Sequence, residues 1–439
     1  MTMNHCHFLL VSLPLQSHIN PAFRLATKLI SAGAQVTLAT TVDGLKTRPA
    51  VPGLSYHFFS DDGAAGKPGY IQKIKLVGPT NLKKLLITVA KEGHKVDFII
   101  YGICLTWVAE VAREHHVPSA LFYIQSAASF SVAYHLYKTD GGLVNSNIDY
   151  TGTLKVPGLP LLKYSEVPPF LLPTDPLALV FQEHIEIVEK YPNSFVLLNS
   201  FNNLEEESIE AVSDRINIFS VGPLVSGETE EPYVSDTFQD SDRETYLRWL
   251  DSKPEKSVVY VSFGSLVKLQ KNQKDEIFQG LIELGYLFLW VIRDQGEDDE
   301  DVRCYTAGDG GLIMRWCSQV DVLNHVAIGC FVSHCGWNST LESLVGGVPM
   351  VGCPQNADQK MNAKMVEEVW GNGVTAVADC GGVVGREEIK RCLELVMGGE
   401  EIKRNCEKLK SMAMEAVAEG GSSHRNLNQF FGTIKRVSE

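Results

Sequence analysis

Residues 327–353 narrow what this chain can fold into more than any other stretch. Ala327 to Ser333 (Ala-Ile-Gly-Cys-Phe-Val-Ser) is short and apolar, the pattern of a buried strand. The chain then turns through His334-Cys335-Gly336-Trp337 into a helical pattern from about Asn338 to Val345, which Gly346 and Gly347 end. Val348 to Cys353 follows as a second apolar strand. A strand that runs through a glycine-containing turn into a helix exposes unpaired backbone N–H groups at the helix start. Those donors, with the positive end of the helix dipole, favour a phosphate.

The same alternation runs through the rest of the chain. Phe8–Leu13, Gln35–Thr40, Phe98–Cys104, Ala120–Tyr123 and Phe195–Asn199 read as strands, with helical spacing over Pro21–Ser31 and again from Trp107. Further on, Ser257–Ser262 and Leu287–Ile292 read as strands around a helix at Gln273–Leu284. Buried strands in turn with helices predict an α/β fold with parallel sheets covered on both faces. At 439 residues the chain is too long for one ordinary core, so two domains are expected. Between them residues 226–243, with Glu228, Glu230, Glu231, Asp236, Asp240 and Asp242, read as a solvated linker. A second acidic run, Glu297–Asp301, reads as a surface loop.

Composition limits the partners. A formal charge of −14 argues against nucleic acid or an anionic membrane, since both require a basic face. Ten cysteines without CxxC pairs read as free thiols in a reducing compartment. Met1–Cys6 carries no basic segment, and the longest apolar run, Phe98–Ala109, is too short to span a bilayer. These features predict a cytoplasmic protein without membrane insertion, and nothing in them requires more than a monomer.

The turn is surrounded by groups suited to a nucleoside diphosphate sugar. His334 can donate to diphosphate oxygens, and Trp316 offers a flat face for a base. Glu342 and Asp358 offer carboxylates to sugar hydroxyls, and Gln359 adds an amide. Simpler readings exist for single members: Ser339 and Glu342 match an S-x-x-E capping box, and Trp337 suits plain packing. As a set, Trp316, Gln319, His334, Gly336, Trp337, Asn338, Ser339, Glu342, Pro349, Pro354, Asp358 and Gln359 resemble the signature box of plant family 1 UDP-sugar-dependent glycosyltransferases. That resemblance implies the GT-B fold, two Rossmann-like doubly wound domains facing an interdomain cleft. Residues 1–225 would then bind the acceptor, 244–420 the UDP-sugar, and 421–439 would return to the first domain as a helix. It also implies that Trp316 stacks on uracil and that Gln319 and Glu342 contact the ribose, with Cys317 in the donor-binding set. His334, Asn338 and Ser339 would hold the diphosphate, and Ser265, in the Phe263-Gly264-Ser265 turn, would help stabilise departing UDP. Trp337, Asp358 and Gln359 would face the sugar, where a terminal Gln is usual in glucose-using members.

Pro14, Gln16, His18, Asn20 and Pro21, directly after the first strand, resemble the family's N-terminal motif, in which the histidine is the catalytic base. A neutral imidazole can take the proton of an attacking hydroxyl. By itself, a histidine there also suits a cap on the following helix. Three positions depart from the family pattern. Ser17 replaces a common Gly, Gly102 stands where many members carry an orienting Asp, and Asn356 stands where an aromatic is usual. Trp107 to Leu121 is similar to a branch of flavonoid and anthocyanin 5-O-glucosyltransferases that also lacks the acid. Phe122, Tyr123, Gln125 and Ser126 are candidate acceptor-lining residues, with core packing the alternative. Asp240-Ser241-Asp242 and Asp299-Glu300-Asp301 match the D-x-D pattern of metal-dependent transferases, but both stand in acidic stretches away from strand ends, so no metal is expected. The expected activity is inverting, metal-independent glucose transfer from UDP-glucose to a hydroxyl or carboxyl of a small lipophilic phenolic such as a flavonoid. The alternative is a non-catalytic UDP-sugar-binding protein that has lost the partner of its base.

Overall fold

The computed structural model describes residues 6–41, 50–60, 69–143, 152–191, 193–225, 240–293 and 308–438. The chain divides into two units, Met1–Val234 with Glu415–Glu439, and Ser235–Met414. Residues 226–239 and Glu297–Asp301 lie outside the described residues, and so does Asp299-Glu300-Asp301. The expected linker ends early, because a helix, Asp240–Asp251, begins inside it. Asp240-Ser241-Asp242 thus forms that helix's first turn.

In the first unit the strands are β1 (His7–Val11), β2 (Gln35–Thr41), β3 (Leu54–Phe59), β4 (Phe98–Gly102), β5 (Ser119–Tyr123), β8 (Phe195–Leu198) and β9 (Asn217–Ser220), with a small hairpin of β6 (Thr153–Leu154) and β7 (Leu162–Lys163). The seven-stranded sheet runs β3-β2-β1-β4-β5-β8-β9, parallel throughout. β1, β4 and β8 are buried at every residue, which is why they read as unbroken apolar runs. Strand order reverses between β1 and β4, and that is where a doubly wound sheet opens a crevice at its carboxyl end.

Two helices differ from the sequence pattern. The first begins at Gln16, not Pro21, so Pro21 lies in its second turn. Polar Gln16, Ser17 and Asn20 hide that start from a hydrophobic period, and proline is expected at a helix's first position rather than in its second turn. The helix Tyr70–Lys91 contains Gly78 and Pro79, which read as breakers in a sequence. Gly78 is needed there for close approach: a Cβ on it would lie 2.5 Å from the Trp107 ring. The final helix, Ser422–Ser438, packs within the first unit. Its Phe430 is fully buried, edge-on to Phe98 at 5.3 Å and to Phe195 at 5.9 Å.

The second unit holds β10 (Val258–Ser262), β11 (Leu287–Val291), β12 (Gly311–Met314), β13 (Ile328–Ser333), β14 (Met350–Gly352) and β15 (Gly373–Thr375). They form one parallel sheet in the order β12-β11-β10-β13-β14-β15, with a reversal between β10 and β13. Val259, Val261, Phe288, Trp290, Cys330 and Val332 from the central strands pack against Ile389, Cys392, Leu393 and Val396 of the helix Arg386–Gly398. The nine described cysteines are free thiols. Among the described residues no helix is long and apolar enough to cross a membrane.

Candidate active site

The carboxyl ends of β10 and β13 meet at the second unit's switch point. β13 leads through His334, Cys335 (φ 63°) and Gly336 into the helix Trp337–Gly346. The N-cap is Gly336, which has no side chain to satisfy the first N–H groups of that helix. After β10 comes the Phe263-Gly264-Ser265 turn. Gly264 has φ +72°, and a Cβ there would lie 2.8 Å from His334 Nε2; one on Gly336 would lie 2.5 Å from the same atom. Both glycines are therefore required for the imidazole to sit between the two turns. Burial lowers the His334 ring to about 4, so it is neutral at pH 7 and carries one N–H. Its Nδ1 is buried without a hydrogen-bond partner among the described residues.

Ser339 and Glu342 do not form a capping box. Both lie inside the helix, and both accept from Gln319 Nε2, at 2.8 Å and 2.6 Å. Gln319 opens the short helix Gln319–Leu323, whose cap is Ser318. The amide thus joins the three residues expected near ribose and diphosphate. Asn338 follows Trp337 in the same first turn, half-buried, and Trp316 stands half-buried two residues after β12. Cys317 turns its side chain inward, its sulfur 3.5 Å from the Tyr260 hydroxyl, and burial pushes the thiol up to about 12. The Trp337 indole is buried against Trp370, with ring centroids 6.1 Å apart.

Asp358 and Gln359 start the helix Gln359–Lys364 and are buried. Asp358 Oδ2 accepts from Asn362 Nδ2 at 3.0 Å, and the same nitrogen donates to the Cys335 carbonyl at 3.0 Å. Asn362 therefore ties the carboxylate to the His334 turn. Burial raises the Asp358 carboxyl to about 6 despite that bond. The sequence signal for Asn362 is its i, i+4 spacing from Asp358.

His18 belongs to the first unit. It lies in the first turn of the helix Gln16–Ser31, whose N-cap is Leu15, so it is not the cap of that helix. With Ser12, Gly102 and Phe122 it lines a small cavity at the carboxyl ends of β1, β4 and β5, the switch point of that sheet. Burial lowers its ring to about 4. His18 Nδ1 is buried, with no hydrogen-bond partner among the described residues. A Cβ on Gly102 would meet nothing nearer than the Val11 carbonyl at 3.8 Å, so the position expected to hold an acid is open. Of the candidate acceptor residues only Phe122 lines this cavity. Tyr123 is core, edge-on to Phe130 at 5.2 Å, and Ser126 caps the helix Ala127–Tyr137. Buried Glu205 accepts from the Ala127 and Ala128 N–H groups at that helix start.

Residues 212–417 match the family model described as UDP-glucoronosyl and UDP-glucosyl transferase. The chain is 41% identical to phloretin 4'-O-glucosyltransferase of Malus domestica, over 98% of each protein. It is 39% identical to anthocyanidin 3-O-glucoside 5-O-glucosyltransferase 1 of Perilla frutescens, over 98% of this chain and 99% of that one. The solved structure of Phytolacca americana UGT2 complexed with UDP-2fluoro-glucose and pterostilbene matches with a TM-score of 0.83 at 25% identity, over 98% of this chain and 100% of that one. Likeness that spans both chains end to end is more than a borrowed domain: this chain belongs to the UDP-glucoronosyl and UDP-glucosyl transferase family, as a plant-type UDP-sugar-dependent glycosyltransferase of the GT-B fold.

Proposed function

We propose that the protein transfers glucose from UDP-glucose, with inversion and without a metal, to a hydroxyl or carboxyl of a small lipophilic phenolic of the flavonoid class. The observation that carries this reading is the His334 turn, held between Gly264 and Gly336 and opening into a helix with a side-chain-free cap. Such a helix start suits a diphosphate, and the relatives named above are glucosyltransferases of phenolic acceptors.

In this reading His18 takes the acceptor proton as the acceptor oxygen attacks C1 of the sugar. The C1–phosphate oxygen bond breaks on the opposite face, so an α-linked donor gives a β-glucoside. Charge developing on UDP is met by the helix start at Trp337, by the His334 N–H and by Ser265. Trp316 covers the uracil, Gln319 with Glu342 holds the ribose, Asn338 and Ser339 take the diphosphate, and Asp358 with Gln359 takes the sugar hydroxyls. We place the enzyme in the cytoplasm as a monomer, a reading supported by its free thiols and acidic charge.

The test is incubation with UDP-glucose, EDTA and a panel of phenolic and carboxylic acceptors, read by mass spectrometry. A hexose adduct formed in EDTA is expected. An adduct that needs added divalent cation would overturn the metal-independent mechanism, and bound UDP-glucose with no adduct on any acceptor would overturn the proposed acceptor class.

A further inference from the structure

The loop between β14 and the helix Gln359–Lys364 holds the Gln359 side chain at three points. Its Oε1 accepts from the Gln355 N–H at 2.8 Å and from the Asn356 N–H at 3.0 Å. Two backbone donors on one atom settle that it is the amide oxygen. Nε2 is thereby the donor end, and it donates to Asn356 Oδ1 at 3.0 Å. One of its two N–H bonds is thereby used, and the other keeps a fixed direction. Asn356 itself is exposed, whereas Gln359 is buried.

Beside this amide, Asp358 is held by Asn362, and once ionised it can only accept. The pair therefore presents one fixed N–H donor next to one fixed acceptor. Adjacent hydroxyls of a pyranose fit that pattern, one accepting from the amide while its neighbour donates to the carboxylate. An aromatic side chain at position 356 could not accept from Gln359 in this way.

We infer that Asn356 is a positioning residue for the donor sugar, aligning the Gln359 amide through the Oδ1···H–Nε2 bond. The inference rests on the reading that Asp358 and Gln359 face the sugar. Preorganised donors bind without a reorientation cost, so removing the bond weakens sugar recognition and leaves the nucleotide untouched.

The experiment compares wild type with Asn356→Leu, Asn356→Asp and Gln359→Leu. For each, the KM for UDP-glucose is divided by the inhibition constant of UDP, which lacks the sugar. The quotient isolates the hexose and cancels any effect of added charge on the diphosphate. Asn356→Leu keeps the size of the side chain and removes the acceptor, so the quotient should rise about five- to tenfold, the worth of one hydrogen bond. Asn356→Asp keeps an acceptor oxygen in place and should stay within about twofold of wild type, which a merely structural role for the loop would not require. An unchanged quotient in Asn356→Leu, or an Asn356→Asp variant as impaired as Asn356→Leu, overturns the inference. If Gln359→Leu raises the quotient while Asn356→Leu does not, only the role of Asn356 falls. If Gln359→Leu also leaves it unchanged, the sugar-facing reading of the site falls as well.

Discussion

At the residue scale the proposed chemistry turns on the charge states of His18 and Asp358. His18 is lowered to about 4 by burial, so its neutral, proton-accepting form persists across physiological pH. A base is lost as pH falls through its pKa, which places the acid limb of the rate profile near pH 4 with a flat region above it. His18→Ala should lower kcat by about 10²–10⁴-fold with UDP inhibition unchanged, the usual contribution of a positioned general base. Activity that survives this change would sink the assignment. Gly102→Asp is predicted to fit without backbone movement, because the added Cβ has room. A carboxylate beside the imidazole favours its charged form, so the acid limb should move to higher pH while the rate on the plateau rises. A limb that stays in place would mean the new acid does not reach His18. Asp358 works in the opposite sense. Its carboxyl is raised to about 6 in the native state, against an ordinary 3.8. The native state therefore retains a proton that the unfolded chain releases between those values, and stability falls as pH rises through that window. Above it the ionised, buried group costs about 3 kcal/mol. Asp358→Asn should accordingly raise the melting temperature at pH 7.5, lose that advantage below about pH 4, and impair transfer from UDP-glucose.

Among the elements, the strands were legible and several helix details were not. β1, β4, β10 and β13 are buried on both faces, and a continuous apolar run needs no period to be recognised. The helix Tyr70–Lys91 was hidden because Gly78 and Pro79 act locally as breakers, while the reason for Gly78 is the distant Trp107 ring. The S-x-x-E match at Ser339 and Glu342 was misleading for the same reason. A local rule predicted a cap, but a partner twenty residues earlier in the chain, Gln319, engages both side chains. The strand, turn and helix around His334 could be read from sequence because they are contiguous. Their geometry could not, since it depends on the β10 turn lying beside the β13 turn. That dependence is testable at Gly264. Gly264→Ala must accept a left-handed φ of 72° and place a Cβ 2.8 Å from the His334 imidazole. UDP affinity should fall roughly tenfold or more through displacement of that ring. An unchanged Kd for UDP by calorimetry would show that His334 does not hold the diphosphate.

For the molecule as a whole, the first unit is assembled from two distant parts of the chain, since Glu415–Glu439 belongs with residues from the start. A helical period near the end was visible in the sequence, but its destination came only from the family resemblance, because amphipathic spacing does not say which core an apolar face enters. Side-chain contacts supply the answer. Phe430 touches Phe98 of β4, Phe195 of β8 and Phe219 of β9, and its neighbour Phe431 touches Phe8 of β1. Asn426 Nδ2 adds hydrogen bonds to Asn202 Oδ1 and the Ser220 carbonyl, each 2.9 Å long. The last helix is thus part of the core of the sheet that carries His18. Phe430→Ala should destabilise this unit by about 3–5 kcal/mol, the cost of emptying a fully buried aromatic site. Hydrogen exchange read by mass spectrometry can locate the loss. Amides of β1, β4 and β8 should exchange faster in the variant, because the opening free energy of those strands includes the packing of Phe430. Amides of β10 and β13 should keep their wild-type rates, since that core contains no residue of the final helix. Equal acceleration in both sheets would mean that the units open as one cooperative body, and protection unchanged in β1 and β4 would mean that the C-terminal helix contributes no stability to the strands it covers.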